Sequence, residues 1–153
     1  MNIIEIQRIS TITDVPDDAQ IEQWANVALH GLSDSIEMVI RIVDEDESAQ
    51  LNETYRHKSG ATNVLSFPFD VPEGIELNLL GDLVICAPVL AREAQVQNKT
   101  IMAHWAHIII HGTLHLLGYD HIDDVDAQEM EEKEIALLQT LSISNPYDDN
   151  STL

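Results

Sequence analysis

The feature that most constrains this sequence is a strongly apolar stretch, residues 100–117, that carries four histidines. They are His104, His107, His111 and His115, at offsets of three, four and four. On an α-helix these offsets place all four side chains on one face, and Gly118 predicts where that helix ends. One histidine on such a helix is more often a buried packing residue than a ligand. A group of four instead indicates a metal site.

Three histidines predict the ligands of one zinc ion. His111 and His115, four residues apart, can meet one ion at zinc–nitrogen distances of roughly 2.0–2.1 Å. The turn at Gly118 allows His121 to reach the same ion. His107 is also four residues from His111, but it lies about 12 Å along the helix from His115, which is too far for a shared ion. We therefore expect His111, His115 and His121 to bind the metal, with His104 and His107 left to packing or to hydrogen bonds around the ligands.

The spacing H-x3-H-x5-H is typical of metzincin proteases. Those enzymes place a general-base glutamate directly after the first histidine, where this chain has Gly112. Three protein ligands leave a fourth position for water, whose pKa zinc lowers toward ~7. The pattern therefore favours a metal-dependent hydrolase other than a glutamate-dependent protease. Asp120, next to His121, is either a proton-transfer or ligand-orienting group or a turn residue.

The strong negative charge argues against most nucleic-acid partners. The chain has 27 acidic residues and only seven Lys and Arg, a formal charge of −20. Such a protein is repelled by nucleic acid unless positive charge is concentrated locally. Arg56, His57 and Lys58 form the densest basic cluster. Arg56 either binds a phosphate near the metal or simply ends a helix with a charge that its dipole favours.

The remaining composition predicts a single cytoplasmic domain. Cys86 is the one cysteine and lies in an apolar run, so we expect a buried thiol, no internal disulfide and a reducing compartment. The N-terminal residues do not read as a secretory signal, and the apolar stretches are shorter than the ~20 residues of a membrane span. We expect one metallohydrolase-like domain over residues 1–144 and a polar, flexible tail over 145–153.

Period-two and helical patterns alternate along the chain, which predicts an α+β fold. Strands are expected at 2–9, 35–44, 63–68 and 79–86, and helices at 17–29, 46–56, 88–98 and 100–117. A last helix, capped by Asp123 or Asp124, is expected to turn Ile135, Leu138 and Leu141 inward. The best description is a small mixed β-sheet packed with helices.

Three segments resemble the YbeY family of bacterial rRNA maturation endoribonucleases. They are residues 111–121 (HGTLHLLGYDH), residues 62–68 (TNVLSFP) preceded by Arg56, and residues 80–85 (LGDLVI). The resemblance runs in order from about Ile36 to Leu141. It implies an α+β fold with the zinc-binding histidines on a central helix and the adjoining turn. It also implies His111, His115 and His121 as ligands and Arg56 as the functional arginine.

The function that the resemblance implies is a single-strand-specific, metal-dependent endoribonuclease. Such an enzyme acts in 16S rRNA 3′-end maturation and ribosome quality control. Its partners would be ribosomal RNA precursors and the ribosome or small subunit, with neither a membrane nor DNA involved.

Two other functions stay open on the sequence. One is a metallohydrolase that acts on peptides or small amides. The other is a non-catalytic zinc-binding ribosome assembly factor, although structural zinc sites usually have four protein ligands and the sequence offers no clear fourth. Zinc is the expected ion, but imidazole ligands also suit other transition metals.

Overall fold

A computed structural model describes residues 2–31, 35–69, 78–119 and 123–147 of the chain. These residues form strands β1 (Ile3–Arg8), β2 (Glu37–Val43), β3 (Val64–Pro68) and β4 (Leu79–Cys86). They also form helices α1 (Asp18–Leu29), α2 (Glu45–Arg56), α3 (Ala87–Val96), α4 (Ile101–Leu116) and α5 (Asp124–Thr140). The expected α+β class is confirmed, each element with predicted bounds begins and ends within two residues of them, and Asp123 caps the last helix.

The four strands form one mixed sheet in the order β1-β2-β4-β3. β1 and β4 pair with β2 in parallel, whereas β3 pairs antiparallel with β4 at the edge of the sheet. The period-two pattern of β2 buries Met38, Ile40 and Ile42 on one side. β3 is thus an edge strand of the sheet, next to β4.

α4 packs against the face of the sheet that holds the larger hydrophobic core. Its residues Trp105 and Ile109 are fully buried and share that core with Leu83 and Ile85 of β4. α4 also contacts α1, α3, α5 and β3, and the Thr100 side chain caps its start by accepting from the backbone N–H of Ala103. Most of α4 is therefore buried, which explains its strongly apolar sequence.

A smaller core lies on the opposite face of the sheet, under α2. It consists of Val43, Leu65, Val84 and Cys86, with Leu51 of α2 packed against them. Cys86 is fully buried, as expected, and burial raises the pKa of its thiol. No helix in the described part of the chain is long and apolar enough to cross a membrane.

Gly81 lies where β3 and β4 come closest to the end of α4. Its φ is +146°, and a Cβ built there would lie 2.4 Å from the Phe67 carbonyl oxygen and 2.9 Å from Leu116 Cδ2. A side chain at this position therefore meets both backbone strain and a backbone clash.

We predict that Gly81→Ala lowers the free energy of unfolding by about 2 kcal/mol or more, because β3 must move away from β4. Urea unfolding followed by circular dichroism measures the loss. Gly31→Ala is the matched control, since Gly31 also has a positive φ (+92°) but a Cβ there contacts nothing within 4 Å. Equal losses in the two variants would show that the close approach at Gly81 has no energetic weight.

Candidate metal centre

The four histidines of α4 lie along one face of the helix, as their spacing predicts. Successive ring centroids are 6.3 Å apart for His104 and His107, 6.1 Å for His107 and His111, and 4.7 Å for His111 and His115. The shortest separation therefore belongs to the pair that the sequence selects as metal ligands. His104 is instead buried and its Nε2 bonds to Glu93 Oε1 at 2.9 Å, which is a packing role.

An open groove of about 450 Å³ brings together Arg56, His111 and His115. It lies between the end of α2, the edge strand β3 and the C-terminal end of α4. Its other lining residues are Asn52, Lys58, Thr62, Asn63, Val64, Leu65, Ser66, Pro68, Gly118 and Tyr119. His121 and Asp120 lie outside the described residues, so the three-histidine ligand set stays a prediction.

Arg56 reaches the groove from the last turn of α2. Its guanidinium Nη2 donates a hydrogen bond to the backbone carbonyl of Ser66 at 3.1 Å. The buried Ser66 hydroxyl in turn donates to the carbonyl of Gly112 on α4 at 3.4 Å. This connection holds α2, β3 and α4 together around the groove and occupies the Ser66 side chain.

Arg56 also differs from the other arginines in its electrostatic surroundings. Arg8, Arg41 and Arg92 each form an ion pair with a carboxylate, at 2.6, 2.5 and 2.5 Å. Within the described ranges no carboxylate lies within ion-pair distance of Arg56. Its positive charge is therefore not neutralised by a direct partner in this part of the structure, despite the acidic composition.

A second cluster of chemical groups lies on the other side of His111, against α5. Glu134 is fully buried, and its Oε1 bonds to His111 Nδ1. Its Oε2 bonds to His107 Nε2 at 3.3 Å and accepts a hydrogen bond from the Tyr147 hydroxyl. One ligand atom each of His107, His111 and Glu134 lies within 4.8 Å of the others, so these residues could hold a metal ion.

The charge state of Glu134 follows from its hydrogen bonds. Burial alone would raise its pKa, but the bonds from His107, His111 and Tyr147 outweigh burial and lower it to about 2. Burial lowers the pKa of His107, and burial together with the nearby carboxylate raises that of Tyr147. Glu134 is therefore an ionised acceptor, with a neutral imidazole and a protonated phenol as donors.

Glu134 and Tyr147 are not among the site residues that the sequence patterns predict. The signal for Glu134 is its place in the buried stripe of α5, where Met130, Glu134 and Leu138 follow at intervals of four. A carboxylate in the middle of an apolar stripe needs partners, and here these come from α4. Tyr147 falls within the expected tail 145–153, of which the structure describes residues 145–147.

The fold and the site define an α+β protein in which two histidines of the central helix, together with Glu134, could hold a metal ion, and in which the same helix borders an open groove. The sequence profile of the family described as Endoribonuclease YbeY matches residues 5–142 of the chain. The chain belongs to this family, whose members are hydrolases that act on RNA. The resemblance read from the three sequence motifs is therefore confirmed.

Individual relatives agree with the family assignment. The chain is 60% identical to Endoribonuclease YbeY of Alteromonas mediterranea over 137 residues, which cover 88% of this chain and 86% of the relative. It is 53% identical to the Colwellia psychrerythraea protein of that name over 150 residues, 95% of this chain and 97% of the relative. The solution structure of Thermotoga maritima TM1509 is similar to this chain at 24% sequence identity. The match covers 95% of this chain and 97% of the TM1509 chain with a TM-score of 0.58, which supports the fold.

The lowered pKa of Glu134 predicts a pH-dependent stability. A carboxylate with a folded pKa near 2 and an ordinary value of 4.5 stabilises the fold above pH 4.5, and loses that contribution as the pH falls toward 2. In metal-free wild type we therefore expect the free energy of unfolding to fall by on the order of 3 kcal/mol over this pH window, and we expect Glu134→Gln to lack this fall. Chemical unfolding at several pH values measures it. Glu129 lies on the exposed side of α5, so the free energy of unfolding of Glu129→Gln should fall with pH as it does in wild type. The same fall in Glu134→Gln would contradict the lowered pKa of Glu134.

Proposed function

We propose that this chain is a zinc-dependent endoribonuclease that cleaves single-stranded RNA in its groove. His111, His115 and His121 hold the ion in this proposal, and Arg56 binds the phosphate that is cleaved. The observation that carries it is the shared groove: an arginine without a carboxylate partner among the described residues faces two histidines of α4 across open space.

The groove is a better position for a catalytic ion than the buried cluster around Glu134. Glu134 is fully buried, and the His107 side chain is only 12% exposed. An ion bound there would have as a ligand a fully buried carboxylate that does not line the groove. His111 and His115 are half-buried and line the groove, so an ion held by them would be accessible to RNA. A catalytic site needs this open position.

The residues on this side of α4 suit a zinc ion. Two imidazoles with ring centroids 4.7 Å apart are ordinary zinc ligands, and a third ligand is needed. Gly118 has a φ of +106°, a conformation that lets the chain turn directly after α4, and His121 follows three residues later. When bound, the ion would supply Lewis acidity to polarise a phosphoryl oxygen or to activate water.

Arg56 has the properties of a phosphate-binding residue. A guanidinium can donate two parallel hydrogen bonds to a phosphate, and the bond from Arg56 to the Ser66 carbonyl uses only one of its nitrogens. A positive group at the cleaved phosphate stabilises the charge that develops in the transition state. Arg56 also offers local attraction in a chain whose net charge of −20 otherwise repels RNA.

The size of the groove supports a single-stranded substrate. A volume of about 450 Å³ is in the range of small-molecule pockets, which is enough for part of an extended strand. The substrate that we propose is precursor ribosomal RNA at the 16S 3′ end, cleaved in the cytoplasm. The ribosome or its small subunit would be the partner, and the wider role would be ribosome quality control.

A peptidase of the metzincin type needs a general-base glutamate at the position of Gly112, and the structure does not support a side chain there. A Cβ on Gly112 would lie 2.8 Å from Leu83 Cδ2 and 3.3 Å from Val64 Cγ2. A side chain here would therefore clash with β3 and β4 of the sheet.

We predict that His115→Ala abolishes cleavage of an RNA that carries the 16S 3′ end, because it removes one of the proposed ligands. Untagged wild type and variant are purified in parallel, and their folds are compared by circular dichroism. His30→Ala, an exposed histidine at the end of α1, is the matched control and should cleave like wild type. Equal cleavage by His115→Ala would point to a contaminating nuclease and favour the non-catalytic assembly factor.

We predict that Arg56→Ala keeps its zinc but cleaves about 100-fold more slowly, or worse, because a charge-stabilising donor is lost. Atomic absorption measures the bound metal and single-turnover kinetics measures cleavage. The control is Arg92→Ala, since Arg92 is exposed and pairs with Glu45 away from the groove. Wild-type cleavage by Arg56→Ala would remove this residue from the mechanism.

A further inference from the structure

We infer that Glu134 is a positioning residue for the metal centre: its carboxylate fixes the tautomer and orientation of His111, and Tyr147 holds that carboxylate in place. The inference rests on the proposed function, because it takes His111 as a metal ligand. It adds α5 and the segment that follows it to the parts of the chain on which metal binding depends.

The two oxygens of Glu134 have separate partners. Oε1 bonds to His111 Nδ1, whereas Oε2 bonds to His107 Nε2 and Tyr147 Oη. Three groups thus converge on a carboxylate that is fully buried. Such a group has a unique position, because any movement would leave a buried charge without its donors.

This arrangement decides which nitrogen of His111 can bind a metal. An ionised carboxylate is only an acceptor, so His111 Nδ1 must carry the proton of their hydrogen bond. A neutral ring with its proton on Nδ1 has its lone pair on Nε2, on the opposite edge of the imidazole. Carboxylates behind metal-binding histidines act in this way, and they also make the histidine a more basic ligand.

The same contacts argue that Glu134 is not itself a ligand. His111 Nδ1 and Glu134 Oε1 are within direct hydrogen-bonding distance of each other. With a proton on Nδ1 donated to Oε1, Nδ1 has no lone pair for an ion, and His111 can bind one only through Nε2. The groups within 4.8 Å are therefore better explained as a hydrogen-bonded network than as a coordination shell.

Tyr147 is itself anchored, so it can hold Glu134. Its ring meets His107 edge to face, with centroids 5.4 Å apart. Its backbone N–H donates to Asn145 Oδ1 at 2.8 Å, and Lys99 Nζ donates to the neighbouring Pro146 carbonyl at 3.1 Å. The segment after α5 is thereby attached near the start of α4, with the Tyr147 hydroxyl at Glu134.

The test compares zinc affinity and coordination in wild type, Glu134→Gln and Tyr147→Phe. Zinc dissociation constants are measured by competition with a chromophoric chelator, and the metal site is probed by the visible spectrum of the Co²⁺-substituted protein. We expect Glu134→Gln to bind zinc about 10–100-fold more weakly, with a shifted Co²⁺ spectrum whose intensity still indicates four-coordination. Tyr147→Phe should show a smaller loss in the same direction, since Oε1 keeps His111.

Unchanged zinc affinity and an unchanged Co²⁺ spectrum in folded Glu134→Gln would overturn the inference. A spectrum that reports one ligand fewer would also overturn it, because Glu134 would then be a ligand. If Glu134→Gln does not fold, Glu134→Asp replaces it. That variant keeps the charge but shortens the reach to His111, and the same losses are expected.

His115→Ala distinguishes this inference from the proposed function. Wild-type zinc affinity in His115→Ala would refute the proposed ligand set, whatever Glu134→Gln does. Lost affinity in His115→Ala together with unchanged affinity in Glu134→Gln would refute the positioning role alone.

Discussion

The arrangement of the whole site depends on how closely α4 packs against the sheet. At Gly112 the helix lies so near β4 that a single added carbon would reach Leu83, and the Gly112 carbonyl accepts a hydrogen bond from Ser66 of β3. This contact fixes the rotation of the helix about its own axis. With Gly112 turned to the sheet, His111 and His115 are directed along the flank of the helix, toward the groove beside β3. Packing therefore explains the glycine at position 112, whereas a glutamate-dependent zinc protease has its general-base glutamate at this position.

One helix face thus meets two very different environments. Toward its C-terminal end, His111 and His115 border an open groove with an arginine on its far side. Against α5, His107 and His111 bond to a fully buried, ionised carboxylate. His111 belongs to both, since its two ring nitrogens lie on opposite edges of the imidazole. A buried charge is tolerated here because three donors surround it, and its position in turn restricts the ring that faces the groove.

Much of this could be predicted from the sequence, because most elements carry strong periodic signals. The alternating pattern of β2 and the histidine spacing of α4 reflect local backbone geometry. The strand and the row of histidines on one helix face that they predict are both observed. The order β1-β2-β4-β3 and the approach of α5 to α4 were not predictable in the same way. They depend on packing between residues far apart in the chain: Glu134 lies 23 residues from His111 and Tyr147 lies 40 from His107. Acids at the start of α5 suggest an exposed helix, and only the apolar neighbours Met130 and Leu138 mark Glu134 as buried. The role of His121 stays a prediction.

The acidic composition constrains how an RNA could approach such a site. Long-range attraction is not available to a chain with a net charge of −20, so binding has to rely on contacts that act at short range. Arg8, Arg41 and Arg92 are already paired with carboxylates, whereas Arg56 and Lys58 at the end of α2 line the groove, which makes this end the natural place for such contacts. Because Arg56 is held by the Ser66 carbonyl, its charge sits at a fixed distance from α4 before any ligand arrives. A preorganised cation loses little conformational freedom on binding, and this compensates in part for the repulsion that the rest of the surface imposes.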